Sequence, residues 1–376
     1  MSKGLEGVVA AETRIARVFG EEGRLVYRGY EIEDLAANAT FEEVCWLLWN
    51  DDLPTRVELG ALRAELVDAQ ALDDRIVDVI RAAPRDAHPM ATLRTAASAL
   101  SFVDPDAEDM SEVANRRKAV RITAQLPVIS AAIDRIRKGL DPIAPDRSLA
   151  FGANFLWMLT GETPDELESR TIDAALTLHA EHGLNASTFA ARVTAATLAD
   201  MHSAIVSAIG ALKGPLHGGA NEQVMAMLQR IGSADRAEPF VVDALGRKEK
   251  VMGFGHRVYR TTDPRAPILR DLSAQLSERG RETPWLDISN RVVEVMRREM
   301  DARGKQVYPN VDFFSASVYH TLGIPTDLFT NVFAIARAAG WTAHVIEQYA
   351  NNRLIRPEAD YTGPFGRTVV PIGQRG

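Results

Sequence analysis

Residues 251–265, VMGFGHRVYRTTDPR, place two glycines, one imidazole and several fixed positive charges in one short segment. Gly253 and Gly255 would let a ligand approach the backbone closely and would leave N–H groups free to bind it. The dinucleotide fingerprint G-x-G-x-x-G is excluded, because Val258 stands at the third glycine position and no β-α-β unit surrounds the segment. The segment predicts a ligand-binding loop that holds His256 at a site; a surface turn with scattered arginines remains the alternative.

His217 lies in GPLHGGANEQVMAML, between Pro215 and a glycine pair and just before a predicted helix. The positive end of a helix dipole disfavours the protonated imidazole, so a histidine at this place would be neutral. A neutral imidazole can donate one hydrogen bond to a carbonyl oxygen that is becoming an enolate. We interpret His217 as a candidate for that role; a histidine that only caps the helix is the alternative.

Asp312 lies in YPNVDFFSASVYH, among apolar and aromatic neighbours and three residues after Pro309. A carboxylate that is removed from water becomes a better base. A helix N-terminus would lower its pKa instead, and the sequence leaves both effects open. The segment indicates a candidate general base, with an ordinary first-turn aspartate as the alternative.

The spacing of the remaining histidines argues against a metal site. His179 and His182 in HAEHG lie three residues apart, and neither H-E-x-x-H nor any Glu-x-x-His pattern occurs. We assign the remaining four to structure: His88, His202, His320 and His344. Two arginines also stand out by context, since Arg337 interrupts the apolar stretch NVFAIARAAG and Arg356 precedes a proline. An arginine in such a helix commonly snorkels, and a minority bind an anion.

The composition is that of a globular protein with two domains. The chain has 376 residues, above the usual size of a single hydrophobic core. Its net charge of −8 argues against a nucleic-acid partner. Cys45 is the only cysteine, which excludes an intrachain disulfide and fits a reducing cytoplasm. No signal peptide is recognisable, and the longest near-apolar runs reach about half of the ~20 residues that a membrane span needs.

The predicted elements are almost all helical. Residues 14–30 predict a small β-hairpin around the turn GEEG. Two capping boxes predict helix starts, one at Thr40 with Glu43 and one at Thr163 with Glu166. The segment 187–212 is nearly all small or apolar, which predicts burial on most sides.

Two later helices are predicted from periodicity and glycine ends. The first carries Val292, Val293, Met296 and Met300 on one face and ends at Gly304. The second runs from Thr326 to Gly340. Without β-α-β alternation or repeats, the fold class is all-α, and the best domain breaks fall near 214–219 and 320–325.

Five segments, in this order and spacing, resemble the citrate synthase family: HAEHGLNAST, GPLHGGANE, MGFGHRVYRTTDPR, YPNVDFFSA and ARAAGWTAHVIEQ…RLIRPEADYTGP. The opening GLEGVVAAETRI…GRLVYRGYEIEDLA is similar to that of the shorter bacterial and archaeal members. The resemblance implies a large helical domain of residues 1–216 with 319–376 and a small domain of residues 217–318. It also implies a homodimer, without metal or other cofactor, that condenses acetyl-CoA with oxaloacetate to citrate and releases CoA.

The resemblance also implies a role for individual residues. Asp312 would remove a methyl proton from acetyl-CoA, His217 would stabilise the enol, and His256 would donate a hydrogen bond to the oxaloacetate carbonyl. The implied oxaloacetate contacts are His182, Arg265, Arg337 and, from the partner subunit, Arg356. The implied CoA contacts are Val251, Met252, Gly253, Phe254, Gly255, and Arg257 or Arg260.

One position leaves the acyl substrate open. Ala316 stands where many citrate synthases have glycine, and some 2-methylcitrate synthases resemble this chain there and in HVIEQ and YTGP. The two acyl groups differ by one methylene, which a pocket discriminates by only ~1–3 kcal/mol. Propionyl-CoA is therefore the alternative substrate. Two other classes are weighed against the enzyme: a non-catalytic helical scaffold that keeps the fold, and a metal-dependent hydrolase built on His179 and His182.

Overall fold

The structure is a computed structural model of the chain, and it describes residues 3–5, 7–256, 258–279 and 283–375. The expected hairpin is present near the N-terminus as β1 (Ala16–Phe19) and β2 (Arg24–Tyr27), and a short third strand, β3 (Tyr30–Glu31), follows it. The sheet is antiparallel in the order β1-β2-β3. The turn between β1 and β2 consists of residues 20–23, as the GEEG sequence predicts.

Helices make up most of the remaining described chain, which confirms the expected all-α class. The first eight are α1 (Ile32–Asn38), α2 (Phe41–Asn50), α3 (Arg56–Ala69), α4 (Asp74–Arg81), α5 (Pro89–Ala99), α6 (Glu112–Arg137), α7 (Phe151–Thr160) and α8 (Glu166–His179). The next eight are α9 (Ala186–Ala195), α10 (Met201–Leu212), α11 (Ala220–Ile231), α12 (Ala237–Gly246), α13 (Arg265–Glu278), α14 (Trp285–Asp301), α15 (Val311–Thr321) and α16 (Phe329–Ala350). Among these described helices, none has the length and apolar character that crossing a bilayer requires.

Capping side chains set two of the helix starts. Thr40 caps α2 and forms the expected box with Glu43. The expected start at Thr163 is wrong, because α8 is capped by Asp165, whose carboxylate accepts from the Glu168 N–H at 2.8 Å. The Glu168 carboxylate accepts from the Asp165 N–H at 2.9 Å in return, and this reciprocal pair stabilises a start two residues later.

Helix α16 is the buried centre of the fold, and it packs against α2, α6, α8, α9 and α10. It begins at Phe329 and continues ten residues beyond Gly340, where the sequence predicted its end. Gly340 is required for close packing: a Cβ there would overlap the carbonyl oxygen of Ala180 and the Glu181 carboxylate. Gly340 therefore allows a close approach of two chain segments, and local sequence patterns do not distinguish such a glycine from one that ends a helix.

Helices α11 to α15, which precede α16 in the chain, form a second group of packed helices. Helix α15 packs on α11 and α13, and α14 packs on α12. The predicted break near residue 216 falls in the turn between α10 and α11, whereas residue 318 lies inside α15. The segment 187–212 is divided into α9 and α10, because Leu198 adopts a left-handed backbone (φ 64°) and Asp200 caps a new helix.

Candidate active site

Two distant segments bring three aromatic rings together at the candidate site. His182 follows α8, while His256 and Tyr259 belong to the loop before α13. The ring centroids of His182 and His256 are 5.3 Å apart, and those of His256 and Tyr259 are 4.7 Å apart. Burial, with the nearby Arg265 charge, holds the pKa of His182 well below its usual range, so this ring is neutral at pH 7.

His217 lies in the turn before α11, as predicted, and is oriented by Ser187. Its Nε2 accepts from the Ser187 N–H at 3.3 Å and lies 2.7 Å from the Ser187 hydroxyl. Trp341 Nε1 donates to the same hydroxyl at 3.1 Å. Burial, assisted by the Arg337 charge, lowers the pKa of His217 to about 4. Because Nε2 is an acceptor, the proton of this neutral ring is on Nδ1, which can therefore donate.

His256 has the opposite tautomer. Its Nδ1 accepts from the backbone N–H groups of Val258 and Tyr259, both at 3.0 Å. Burial, followed by the Arg265 charge, lowers the pKa of His256 to about 4. The ring is therefore neutral with its proton on Nε2, and this N–H is the donor that it can offer to a ligand.

Arg265 is fixed by an aspartate that the sequence reasoning did not select. Its guanidinium makes two hydrogen bonds to Asp263, at 2.9 and 2.8 Å, and both side chains are buried. Burial opposes ionisation of Asp263, but the Arg265 charge and the hydrogen bonds from Arg265 together outweigh it and lower the pKa of this carboxyl. Asp263 also accepts from the Val311 N–H at 3.2 Å, so the pair connects the loop to the start of α15. The only sequence signal was its place beside Pro264 just before a helix.

Arg337 projects from the buried face of α16. Its Nε donates to the carbonyl oxygen of His179 at 2.7 Å, and its guanidinium lies 4.8 Å from the centre of the Phe333 ring. Within the described residues its Nη1 has no hydrogen-bond partner. Burial lowers the pKa of Arg337 to about 10, with Glu181 as the main opposing charge. Arg337 therefore does not snorkel; it is a buried cation with an unused donor.

Asp312 is the second residue of α15, and its backbone N–H donates to the capping Asn310 side chain at 3.1 Å. Its Oδ1 is buried without a hydrogen-bond partner in the described chain. Burial raises the pKa of Asp312 to about 7, although the Arg265 charge acts in the opposite direction. Of the two effects that the sequence left open, desolvation is the larger, and the side chain has the character of a general base.

The loop of residues 251–255, which contains Gly253 and Gly255 (the glycine loop), is hydrogen-bonded to the segment before α15. The Gly255 N–H donates to Tyr308 O at 2.9 Å, Gly253 O accepts from Asn310 N at 2.9 Å, and Phe254 pairs with Pro309. The expectation that these glycines leave their N–H groups free is therefore wrong for Gly255, because Tyr308 already uses that donor.

Packing explains one of the two glycines. Gly253 has φ +79°, and a Cβ there would lie 2.7 Å from the Phe313 ring, so this position needs glycine for its fit against α15. Gly255 has φ +81° and, among the described residues, nothing within 4 Å of an added Cβ, so a ligand has space there. Of the other predicted loop residues, Val251 is buried while Met252 and Phe254 are half-buried.

Two predicted arginines, Arg260 and Arg356, lie outside this cluster. Arg260 is exposed and donates its backbone N–H to Gly20 in the hairpin turn at 3.0 Å. Arg356 is exposed in the irregular segment after α16. The prediction for Arg257 falls on a residue outside the described ranges. A cleft of about 270 Å³ beside Arg81 and Arg137 shares no lining residue with the cluster.

The four histidines that the sequence assigns to structure each contact another residue of the fold. Their partners are His88 with Met90 N, His202 with Asp104, His320 with Trp285 and His344 with Glu181. His179 donates to Ala175 O at 2.8 Å and packs on Phe333, away from the contacts of His182. In the described ranges, no three His, Cys, Asp or Glu side chains are grouped to hold a metal ion. These described residues therefore provide no metal-binding geometry for the hydrolase alternative.

Comparisons with known proteins show the family of the chain. The family model "Citrate synthase, C-terminal domain" matches residues 4–358. Citrate synthase 2 of Bacillus subtilis is 49% identical over 375 residues, covering 100% of this chain and 99% of its own. Citrate synthase of Haloferax volcanii is 50% identical over 380 residues, with the same coverage. 2-Methylcitrate synthase 2 of Corynebacterium glutamicum is 44% identical, covering 99% of this chain and 97% of its own.

A solved structure shares the fold across the whole chain. It is the ternary complex of carboxymethyl coenzyme A and oxaloacetate with citrate synthase from Thermoplasma acidophilum, with a TM-score of 0.93 and 34% identity. It covers 100% of this chain and 99% of its own. With a family model matching nearly every residue and relatives close to half identical along their full length, the chain belongs to the citrate synthase family.

Proposed function

We propose that this enzyme condenses acetyl-CoA with oxaloacetate and water to give citrate and free CoA. One observation carries the proposal: the buried charges of Arg265 and Arg337 both act on the desolvated carboxylate of Asp312, while Arg337 also acts on the neutral ring of His217 and Arg265 on that of His256. We infer that Asp312, His217 and His256 line one site. Two buried guanidiniums, those of Arg265 and Arg337, supply positive charge for a dicarboxylate. No metal or other cofactor is part of this proposal.

The first step is enolisation of the thioester. Asp312, with its pKa near neutrality, takes a proton from the methyl group of acetyl-CoA. His217 donates from Nδ1 to the thioester oxygen and stabilises the enol that forms. An oriented donor of this kind contributes roughly 3–4 kcal/mol in other enzymes.

The second step forms the carbon–carbon bond. The enol carbon adds to the ketone of oxaloacetate while His256 donates from Nε2 to the ketone oxygen. Arg265, Arg337 and His182 hold the dicarboxylate in place, and Arg356 of the partner subunit completes the contacts. Water then adds to the citryl thioester, and the thiol of CoA leaves.

The CoA site is proposed along the glycine loop. Gly255 provides the open backbone, and Val251, Met252, Gly253 and Phe254 form the wall beside it. Arg260, and Arg257 by resemblance, would contact the phosphates of CoA. Alanine at Arg260 should raise the KM for acetyl-CoA while the KM for oxaloacetate changes little.

A homodimer is proposed because the terminal segments expose apolar side chains. Val9 is 87% exposed, Phe365 82% and Val369 87%, and large apolar groups so exposed are typical of surfaces that a partner covers. Arg356 lies in the same C-terminal segment, which fits an arm reaching a second subunit. Light scattering should give twice the chain mass of 41.2 kDa; a monomer with full activity would contradict the proposal.

Two moving domains are also proposed, residues 1–216 with 319–376 and residues 217–318. Closure of the small domain would bring the glycine loop onto the bound substrates and exclude water. Oxaloacetate with a CoA analogue should reduce the radius of gyration in small-angle scattering. An unchanged radius at saturation would count against closure.

The cytoplasm is the proposed location, on the basis of the single cysteine.

The experiment that tests the activity is release of free thiol from acetyl-CoA in the presence and absence of oxaloacetate, with citrate identified as the product. Oxaloacetate-dependent release is expected. Well-folded protein that releases no thiol would favour a non-catalytic scaffold.

2-Methylcitrate synthesis from propionyl-CoA is the second candidate, favoured by Ala316 and by the Corynebacterium glutamicum relative. Ala316 is fully buried on α15, one turn after Asp312. The kcat/KM values for acetyl-CoA and propionyl-CoA, measured side by side, separate the two activities. A strong preference for propionyl-CoA would overturn the first proposal.

A further inference from the structure

One face of α16 supports the segment 179–182, which leads to His182. Three positions on this face, Arg337, Gly340 and His344, follow the i, i+3, i+7 spacing of one helix side. Arg337 donates to His179 O, Gly340 lies against Ala180 O, and His344 Nε2 lies 3.0 Å from Glu181 Oε1. The segment is thus held by three successive contacts along the helix.

Glu181 brings a negative charge close to the cation of the candidate site. Its side chain is fully buried, and its Oε2 has no hydrogen-bond partner in the described part of the chain. Oε2 lies where a Cβ on Gly340 would stand, about one helical turn from Arg337. Arg337 Nη1 is also without a partner, yet Glu181 is hydrogen-bonded to His344 instead.

His344 is itself locked in one orientation. Its Nδ1 accepts from Arg192 Nη1 at 3.1 Å, which leaves the ring proton on Nε2, facing Glu181. Arg192 is anchored in turn by Glu347 at 2.6 Å and by Gln348 at 2.9 Å. Rotation of the imidazole would break both of its hydrogen bonds, so Glu181 Oε1 has a fixed donor.

We propose that His344, locked by Arg192, is a positioning residue that keeps the Glu181 carboxylate turned away from Arg337. The unused edge of the guanidinium then stays open for a carboxylate of the substrate. Without the His344 donor, Glu181 would turn to Arg337 and compete with the substrate from within the protein. This inference rests on the proposed binding of oxaloacetate by Arg337.

The test compares variants that remove, keep or bypass the His344 donor. His344→Leu removes it and should raise the KM for oxaloacetate by about 10- to 100-fold, the range for one charge-assisted hydrogen bond. The KM for acetyl-CoA should stay within about twofold, because the contacts of His344 with described residues are to Arg192, Glu181 and Glu347, outside the glycine loop. His344→Gln is the matched control, since its amide can still donate to Glu181, and it should lie within a few-fold of the parent.

The double variant Glu181→Gln/His344→Leu separates competition from structural damage. It lacks the competing charge, so its KM for oxaloacetate should return to within a few-fold of the value for Glu181→Gln alone. Ordinary structural damage would make the double variant at least as poor as His344→Leu, and that result would overturn the proposal. An unchanged oxaloacetate KM in folded His344→Leu would overturn it as well.

Two further measurements keep the outcomes distinct. If His344→Leu does not fold, the Glu181→Gln variant alone decides. An oxaloacetate KM within about threefold of the parent value supports the proposal, and a rise above tenfold overturns it. Calorimetry of oxaloacetate binding to the parent protein is measured first. Absence of binding would overturn both the proposed function and this inference, whereas normal parental turnover with unresponsive variants would overturn the inference alone.

Discussion

Replacing Asp312 by asparagine should abolish turnover and stabilise the fold. The asparagine cannot accept the methyl proton, and loss of a general base typically lowers kcat by about 10²- to 10⁴-fold. Oxaloacetate binding should remain within a few-fold of the parent value, because the proposed dicarboxylate contacts, Arg265 and Arg337, are unchanged. Thiol release measures the first effect, and calorimetry measures the second.

The gain in stability follows from the burial of this carboxylate. Its pKa is raised from 3.8 to about 7, so the native state holds the proton more tightly than the unfolded chain does. Stability from this group is therefore present below pH ~4 and is lost as the pH rises through ~7. This rise in pKa corresponds to ~4 kcal/mol, an upper value for the cost of the ionised Asp312 at pH 8.

The assay is urea unfolding of parent and Asp312→Asn at a fixed protein concentration, at pH 8 and at pH 5. The variant should be more stable at pH 8 by up to ~4 kcal/mol, and its advantage should shrink at pH 5, where the parent aspartate is largely protonated. A variant that is less stable at pH 8, or a difference that does not change with pH, would refute the burial argument. Turnover within tenfold of the parent would refute the role as base.

Three further substitutions test other parts of the site. Ser187→Ala removes the hydroxyl beside His217, and we expect kcat to fall about tenfold with little change in either KM, measured by steady-state kinetics. Gly253→Ala introduces a methyl group 2.7 Å from the Phe313 ring at a positive φ, and unfolding should show a loss of about 1–3 kcal/mol. Arg265→Ala should raise the KM for oxaloacetate at least tenfold and leave the KM for acetyl-CoA nearly unchanged. An unchanged kcat in Ser187→Ala, an unchanged stability in Gly253→Ala, or an unchanged oxaloacetate KM in Arg265→Ala would contradict the role given to that residue.

Local chemistry made several features predictable from the sequence. The Thr40–Glu43 box and the hairpin turn depend on residues only a few positions apart, and both are present. The position of His217 directly before a helix was predictable as well, because the glycine pair that follows it is a local signal. Asp312 and His256 could be chosen as candidates, but the contact of His256 with His182 depends on long-range packing that no local pattern encodes.

The predictions that were wrong and the residue that was missed have the same cause, which is tertiary packing between segments far apart in the sequence. Gly340 ends no helix, because it admits Ala180 and Glu181 against α16. The Gly255 N–H is used by Tyr308, fifty-three positions away along the chain. Asp263 was overlooked because its importance comes from the buried pair with Arg265, which is visible only once burial is known.

A crystal structure with oxaloacetate and carboxymethyl-CoA bound tests the central claim most directly. We expect the acyl analogue within hydrogen-bonding distance of Asp312 and of His217 Nδ1, and the ketone oxygen at His256 Nε2. The two carboxylates should lie on Arg265 and Arg337. Ligands bound in a cavity that Asp312, His217 and His256 do not line together would contradict the account.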